Sequence, residues 1–415
     1  TWSVLCSAPS FRWYGDGFIF SNGGQCIVPE RPDELIYLTG LLNSKVTGYI
    51  LNALSPTLGF ESGYLKKLPI LEVDSLSKEK VIRLTHEIIG LCKTDWDSYE
   101  YSWDFEKHFL LTDDNYISDA FGSWERATKA SISKYIEIGE ELNNIFINVY
   151  GLSNELCAEI DKKYISLREA DIVGDIKSLI SYAVGCMFGR YSLDVDGLAY
   201  AGGEWDDSKY SSFIPDKDNI LPITDEEYFS DDIIGLFCAW LKKVYGEDTL
   251  EDNLDFIAKA LGNKGNTSRE IIRNYFLNDF IREHSKMYQK CPIYWLFDSG
   301  KQNGFKALVY MHRYDENTIG NLRIDYLHRM ERVYDNEIAR MQDIIDNSKV
   351  AREVTQATKR REKLQKQLKE CKEYDERIAH LALARIPIDL DDGVKVNYEK
   401  VQTVDGVKYP VLAKI

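Results

Sequence analysis

From Tyr326 to Ala384 the chain runs almost without Gly or Pro, and its apolar residues return at helical spacing. Leu327, Met330, Tyr334, Ile338, Met341 and Ile345 make one stripe. Val354, Ala357, Leu364, Leu368, Cys371, Ile378 and Leu381 make a second, close to a 3.5-residue repeat. The weak break at Asn347-Ser348 between them predicts an antiparallel helical hairpin of coiled-coil character. A sequence committed to that much helix excludes an all-β fold. Pro387 stops the run, and Ile388 to Val396 reads as a turn entering a final strand.

Elsewhere the pattern predicts an α+β chain that is predominantly α-helical. Residues 1–72 form a small β-containing block. In it, Trp2 to Cys6 reads as a strand, and Phe18-Ile19-Phe20 and Gln25-Cys26-Ile27-Val28 flank a Ser21-Asn22-Gly23-Gly24 turn as a short hairpin. Asp33 opens an amphipathic helix through Leu35, Ile36, Leu38, Leu41, Leu42 and Val46 to about Gly48. Leu65 to Ile70 reads as an edge segment, because Pro69 cannot donate to a ladder. Residues 73–167 are predicted to be helical, with helices from Ser77 and over Trp124–Tyr150. Residues 168–325 form a mixed α/β middle domain, with strands at Ile293–Phe297 and Lys306–Met311. Residues 326–385 are the helical hairpin and 386–415 a C-terminal strand and tail.

Length and charge limit the partners. At 415 residues the chain has room for two or three domains, and 51 Lys/Arg against 67 Asp/Glu leave a net charge of −16. A whole that acidic repels phosphate, so any nucleic-acid contact must come from local basic patches. The eight cysteines never take C-x-x-C spacing, which argues against a zinc ribbon or thioredoxin-type site and suits free thiols in a reducing cytoplasm. No apolar run approaches the roughly 20 residues of a bilayer span, so no membrane partner is expected. The first residue is Thr1, not Met, and the expectation is a piece of something longer.

The search for catalytic motifs is mostly negative. Gly262 to Ser268 lacks the order of a phosphate-binding loop, no G-x-G-x-x-G follows a strand, and there is no G-x-S-x-G elbow. The six histidines are scattered. Asp194-Val195-Asp196-Gly197 resembles part of a calcium loop, but the position that needs a bidentate Glu is Gly203. No catalytic, cofactor-binding or metal-ligating residue is assigned.

Three features could touch nucleic acid. Arg12-Trp13-Tyr14 with Lys66-Lys67 combines basic and aromatic side chains beside turns; the alternative is core aromatics with a lysine-guarded edge. Lys264, Arg269 and Arg273 surround a helix N-terminus capped by Thr267 or Ser268, which suits a phosphate; the alternative is an ordinary capped surface helix with Arg269 in a local ion pair. The stretch Lys349–Arg377 holds ten Lys/Arg against six Asp/Glu, densest at Lys359-Arg360-Arg361-Glu362-Lys363. It is either a solvated hairpin flank or a phosphate-tracking surface.

Longer strings carry a resemblance. Tyr37-Leu38-Thr39-Gly40-Leu41-Leu42-Asn43-Ser44-Lys45 followed by Leu65-Lys66-Lys67-Leu68-Pro69-Ile70 resembles the target-recognition segment of bacterial adenine-specific DNA methyltransferases. Trp96 to Phe105, Glu141 to Leu152, Ser181 to Ser192, Pro292 to Gly300 and Asp389 to Tyr398 narrow it. Together they resemble the C-terminal half of the BREX phage-defence adenine methyltransferases and related fused restriction–methylation enzymes, across essentially the whole chain.

That resemblance implies methyl transfer from S-adenosylmethionine to adenine N6 in double-stranded DNA, with the base flipped into a site built on Asn/Asp-Pro-Pro-Tyr/Phe. Neither that tetrapeptide nor the glycine-rich cofactor motif is present; the nearest string is Ser55-Pro56-Thr57-Leu58. The expectation is a DNA-recognition and scaffold region, inactive alone, whose block 1–72 docks on a methyltransferase domain encoded before Thr1. The rival is a protein-interaction module that docks other BREX proteins and makes little DNA contact. A nuclease half is disfavoured by the lack of a Pro-Asp…Glu-x-Lys arrangement.

Overall fold

The structure, a computed structural model, describes the chain apart from residues 6–9, 16, 22, 56–58, 72 and 263–264 and the side chains of residues 32 and 33. Helix predominates and the strands are short, so the chain is a predominantly helical α+β protein. It divides into two compact units: Thr1–Asp97 with Ser123–Ala170, and Ser98–Gly122 with Asp171–Ile415.

In the first unit, Trp2–Ser3 pairs antiparallel with Gly24–Gln25, and Trp2 is buried with its indole N–H donating to Phe60 O at 2.7 Å. Gln25 thus spends its backbone on the chain start. The hairpin expected between residues 18–20 and 25–28 does not form; Phe18, Ile19 and Phe20 lie outside any strand, and Asn22 of its turn is outside the described residues. The helix expected as one piece is two, Pro32–Leu42 and Lys45–Leu54. The break is written in Asn43-Ser44. Asn43 Nδ2 donates back to Thr39 O at 2.9 Å, and Ser44 Oγ accepts from Thr47 N as the cap of the second helix.

Leu65–Ile70 is no edge strand. Ser62–Leu65 is a single helical turn, and Lys66 and Lys67 continue it as turns. Helices Ser75–Asp97 and Ile117–Val149 complete the scaffold, residues 123–149 of the latter counting with this unit. Its core joins Tyr37, Leu41, Val46, Val81, Leu84, Ile138, Leu142 and Phe146.

The second unit carries a three-stranded antiparallel sheet in the order Ile220–Pro222, Lys306–Tyr310, Tyr294–Asp298. The last two are the strands expected around the Asp298–Gly304 turn. Helices His328–Asn347 and Ala351–Ala384 form the expected hairpin, breaking at Ser348, and pairs such as His328–Asp375 and Arg361–Gln342 fix their antiparallel register. Sheet and hairpin share one core, in which Trp295, Phe305 and Val309 join Tyr334, Leu364, Cys371 and Tyr374.

The Asp298–Gly304 turn clasps the hairpin through one carboxylate. Glu370 accepts from Ser299 Oγ at 2.8 Å, Gln302 N at 2.8 Å and Gly304 N at 3.0 Å. The residues after Pro387 are not a strand at first: Val394–Lys400 is a helix that follows a 3₁₀ turn, and Asn397 is buried, tying back to Asp389 O at 2.5 Å. The tail then returns to the sheet. Asp298 N donates to Val411 O at 2.9 Å and Ala413 N to Leu296 O at 2.8 Å.

Candidate nucleic-acid interface

Several residues of the recognisable strings hold the fold, while others, such as Trp96 and Trp103, are exposed. Gly40 lies where helix Pro32–Leu42 meets Thr85 and Val81, so closely that a Cβ would strike the Thr85 hydroxyl. Asn43 brackets Phe11, accepting from its N–H at 3.0 Å and donating to its carbonyl at 3.1 Å. Asn143 accepts from Lys45 N at 2.9 Å and donates to Ala158 O at 2.9 Å. Gly185 accommodates the Tyr191 ring, and Gly189 ends helix Ile172–Phe188 at φ 76°. Glu100 is buried and accepts from Ser181 Oγ at 2.6 Å; burial raises its carboxyl above the usual range.

The expected basic residues separate into those the fold consumes and those it leaves outside. Arg273 is buried. Its guanidinium makes a two-point pair with Asp232, at 2.7 and 2.8 Å, and donates to Thr224 O at 2.9 Å. Asp232 is fully buried and also caps helix Ile233–Tyr245. Expected at a phosphate, Arg273 instead neutralises a carboxylate in the core, a role its spacing from Arg269 could not reveal. Arg269 takes the local pairing weighed as its alternative, bidentate with Glu251 at 2.7 and 2.6 Å. The helix start beside it is closed by its own chain, since Thr267 Oγ1 accepts from Glu270 N at 3.2 Å. Lys264 lies outside the described residues.

On the hairpin, Arg360 turns inward to Asp225 and Glu226, both at 2.8 Å, and to Tyr228 OH at 2.6 Å. Lys363 reaches the same Asp225 carboxylate at 2.6 Å, and Arg361 donates to Gln342. Burial raises the Asp225 carboxyl, but the hydrogen bonds and charges of Arg360 and Lys363 outweigh it and hold the group below its usual value. Lys359 is exposed and, among the described residues, without a partner.

So are Arg352 and Lys366, the same interval before and after it. Seven residues are nearly two helical turns, so the three form one stripe with steps of about 10.5 Å. Of the acids nearest in sequence, Glu353 accepts from Ser348 Oγ at the hairpin break, while Glu362 lies one turn from both Lys359 and Lys366 and flanks the stripe. Composition alone concealed the stripe, because it counts Arg360 and Lys359 alike.

In the first unit, Arg12 is exposed and donates to Ser10 Oγ at 2.6 Å; Lys66 and Lys67 are exposed, with Lys67 over the Tyr64 ring. Trp13 and Tyr14 are not core, at 40% and 47% exposed. Phe18, Ile19 and Phe20 are exposed beside them in sequence, and Tyr14 meets Phe18 edge-to-face at 5.0 Å. The apolar run of residues 18–20 before a Gly-rich turn suggests a hairpin strand, which hides this apolar surface.

Asp194 does not gather calcium ligands; it accepts from Ser211 N and Ser212 N at 2.7 and 2.9 Å and from the Ser212 hydroxyl. Among the described residues no group of His, Cys, Asp and Glu could hold a metal ion. Strand pairing among them is antiparallel throughout. Among the described residues no helix is long and apolar enough to cross a membrane.

Beside these basic and aromatic surfaces stands a likeness in sequence: over nearly its whole length the chain is homologous to adenine-specific methyltransferases of BREX systems. Adenine-specific methyltransferase PglX of Lacticaseibacillus casei (strain Zhang) is 40% identical over 421 residues, which cover 99% of this chain and 35% of the relative. Adenine-specific methyltransferase BrxX of Escherichia coli O9:H4 (strain HS) is 35% identical over 434 residues, 96% of this chain and 35% of the relative. The chain therefore spans about a third of the length of the curated relatives it matches. No protein-family profile matches it.

Proposed function

We propose that the chain is the DNA-recognition and scaffold region of a phage-defence adenine-N6 DNA methyltransferase and carries no methyl-transfer chemistry itself. The observation that carries this reading is the 35–40% identity to adenine-specific methyltransferases over nearly all of a chain that lacks their catalytic tetrapeptide. S-adenosylmethionine and the flipped adenine are then held by another part of the enzyme. The second unit supplies basic surface to the duplex. Residues 1–72, with Trp13, Tyr14, Phe18, Ile19 and Phe20 exposed, dock on the methyltransferase domain.

The test is to mix the chain with double-stranded DNA and S-adenosylmethionine. The expected result is salt-sensitive duplex binding and no N6-methyladenine. Methylation by this chain alone would overturn the assignment of the chemistry elsewhere.

A second reading rests on the same exposed apolar residues. They suit a protein partner better than a phosphate backbone, so the region would dock other BREX proteins with little DNA contact. Polar substitution of Phe18 and Ile19 decides: loss of a complex with other BREX proteins, from a chain that shows no salt-sensitive duplex binding before or after the change, favours this second reading.

A further inference from the structure

We infer that Arg352, Lys359 and Lys366 form a rail for the phosphates of duplex DNA, one cation to one phosphate, and that the denser cluster at Arg360–Lys363 does not. The inference rests on the DNA-recognition reading above and names the side chains that would carry it. Three observations support it.

The first is economy of charge. The chain has 67 acids for 51 Lys/Arg, so a cation has no shortage of internal partners. Arg360, Lys363, Arg323 and Arg273 have all found one. Arg352, Lys359 and Lys366 are exposed and have none among the described residues.

The second is alignment. Arg352 and Lys366 stand seven residues to either side of Lys359 on one unbroken helix, Ala351–Ala384, which places the three on a single line about 21 Å long. The stripe is backed by a rigid body. Leu364, Gln367, Leu368 and Cys371 of the same helix are buried, so the line is held straight rather than carried on a loop.

The third is what the rail lacks. It carries no aromatic side chain and no Asn or Gln pair placed to read a base edge; Gln356 and Glu362 flank it. Aligned long cations without a reading group suit the sequence-independent contacts that position a duplex.

The test is the salt dependence of binding to a mixed-sequence duplex. Each phosphate contact contributes about 0.9 to the slope of log K against log salt. The Arg352→Gln, Lys359→Gln, Lys366→Gln variant should therefore lose about 2.7 of that slope, equally for unrelated sequences. Lys369→Gln with Lys372→Gln, on the same helix but off the stripe, controls for overall charge and should leave the slope unchanged. Among the described residues, the one ion pair lost is Lys369 with Glu373, a long and exposed contact at 3.8 Å worth little, so both variants should keep the wild-type denaturation midpoint. If the wild type binds duplex and the rail variant keeps its slope, or loses no more than the control, the rail is wrong and the DNA-recognition reading stands. If the wild-type chain does not bind duplex at all, the reading beneath fails, and the rail with it.

Discussion

Arg360 Nη1 lies 2.8 Å from Asp225 Oδ2, and this single contact turns the most basic point of the hairpin toward the body of its own unit. Lys363 closes on the same oxygen at 2.6 Å, while Gln367, fully buried one turn further on, donates to Asn303 O at 3.2 Å. The long helix is thus fastened along one flank to the segment at Asp225 and to the turn of the sheet. The flank that remains free is the one with Arg352, Lys359 and Lys366.

Asp225→Asn should cost about 3 kcal/mol in urea denaturation, because it leaves the half-buried Arg360 without its main counter-charge. The sign with pH follows from the depressed carboxyl. The stability it contributes is present above the unfolded value, about 3.9, and is lost as pH falls through the lower folded value. In the variant that acid-side component should be absent. An unchanged acid limb would show that the pair contributes nothing.

Arg273→Met should destabilise by roughly 3–5 kcal/mol, since Asp232 stays buried and charged with its partner gone. Replacing both residues by apolar side chains should recover most of that loss. Duplex affinity of the folded fraction should not change. The buried Trp240 and Trp295 give the fluorescence signal for the denaturation curve.

Gly304→Ala should cost about 1–3 kcal/mol. Its added Cβ would lie 2.7 Å from Gln367 O, a backbone atom that cannot swing away. The turn must then retreat from Glu370, breaking a hydrogen bond of 3.0 Å. Hydrogen exchange at Gln302 and Gly304 should rise more than at Lys306–Tyr310 in the neighbouring strand.

His108 and His284 make the second unit acid-sensitive well above the carboxylate range. Burial holds both rings at about 3, and for His284 the nearby Arg190 adds to it. Each accepts backbone hydrogen bonds in its neutral form: Leu110 N to His108 at 3.2 Å, and Ile293 N to His284 at 3.1 Å. The unfolded chain takes up those protons near pH 6.5, so stability should fall as pH drops from about 6.5. A His108→Asn, His284→Gln variant should have a lower Tm with a flatter dependence across that window. A wild-type Tm that stays constant from neutral pH down to the carboxylate range would refute the assignment.

The hairpin was legible because apolar spacing over that many residues admits one regular structure, and strands Tyr294–Asp298 and Lys306–Tyr310 because a Gly-bearing turn separates two apolar runs. The start of the chain was not. Residues 18–20 look like a strand, yet Gly24–Gln25 pairs with Trp2–Ser3, and nothing local announces a partner that distant. Asn43-Ser44 carries a readable stop and cap, but the apolar positions continue across it. Among the basic candidates, sequence shows the cations without the acids that meet them in space: Asp225 is 135 residues from Arg360, and Asp232 is 41 from Arg273. Charge density therefore marked Arg360, while the side chain left facing solvent was its neighbour Lys359.

The return of Val411–Ala413 to strand Tyr294–Asp298 has a consequence for the order in which the protein is made. A ribosome delivers that strand more than a hundred residues before the segment that covers its outer edge. Until then Leu296 O and Asp298 N are unpaired, and Tyr374 OH, which donates to Val411 O at 2.8 Å, has lost its acceptor. A nascent chain halted before Val411 would present an open apolar strand edge, the kind of surface that chaperones shield and that otherwise seeds aggregation. The last residues of the second unit to emerge are the ones that close it.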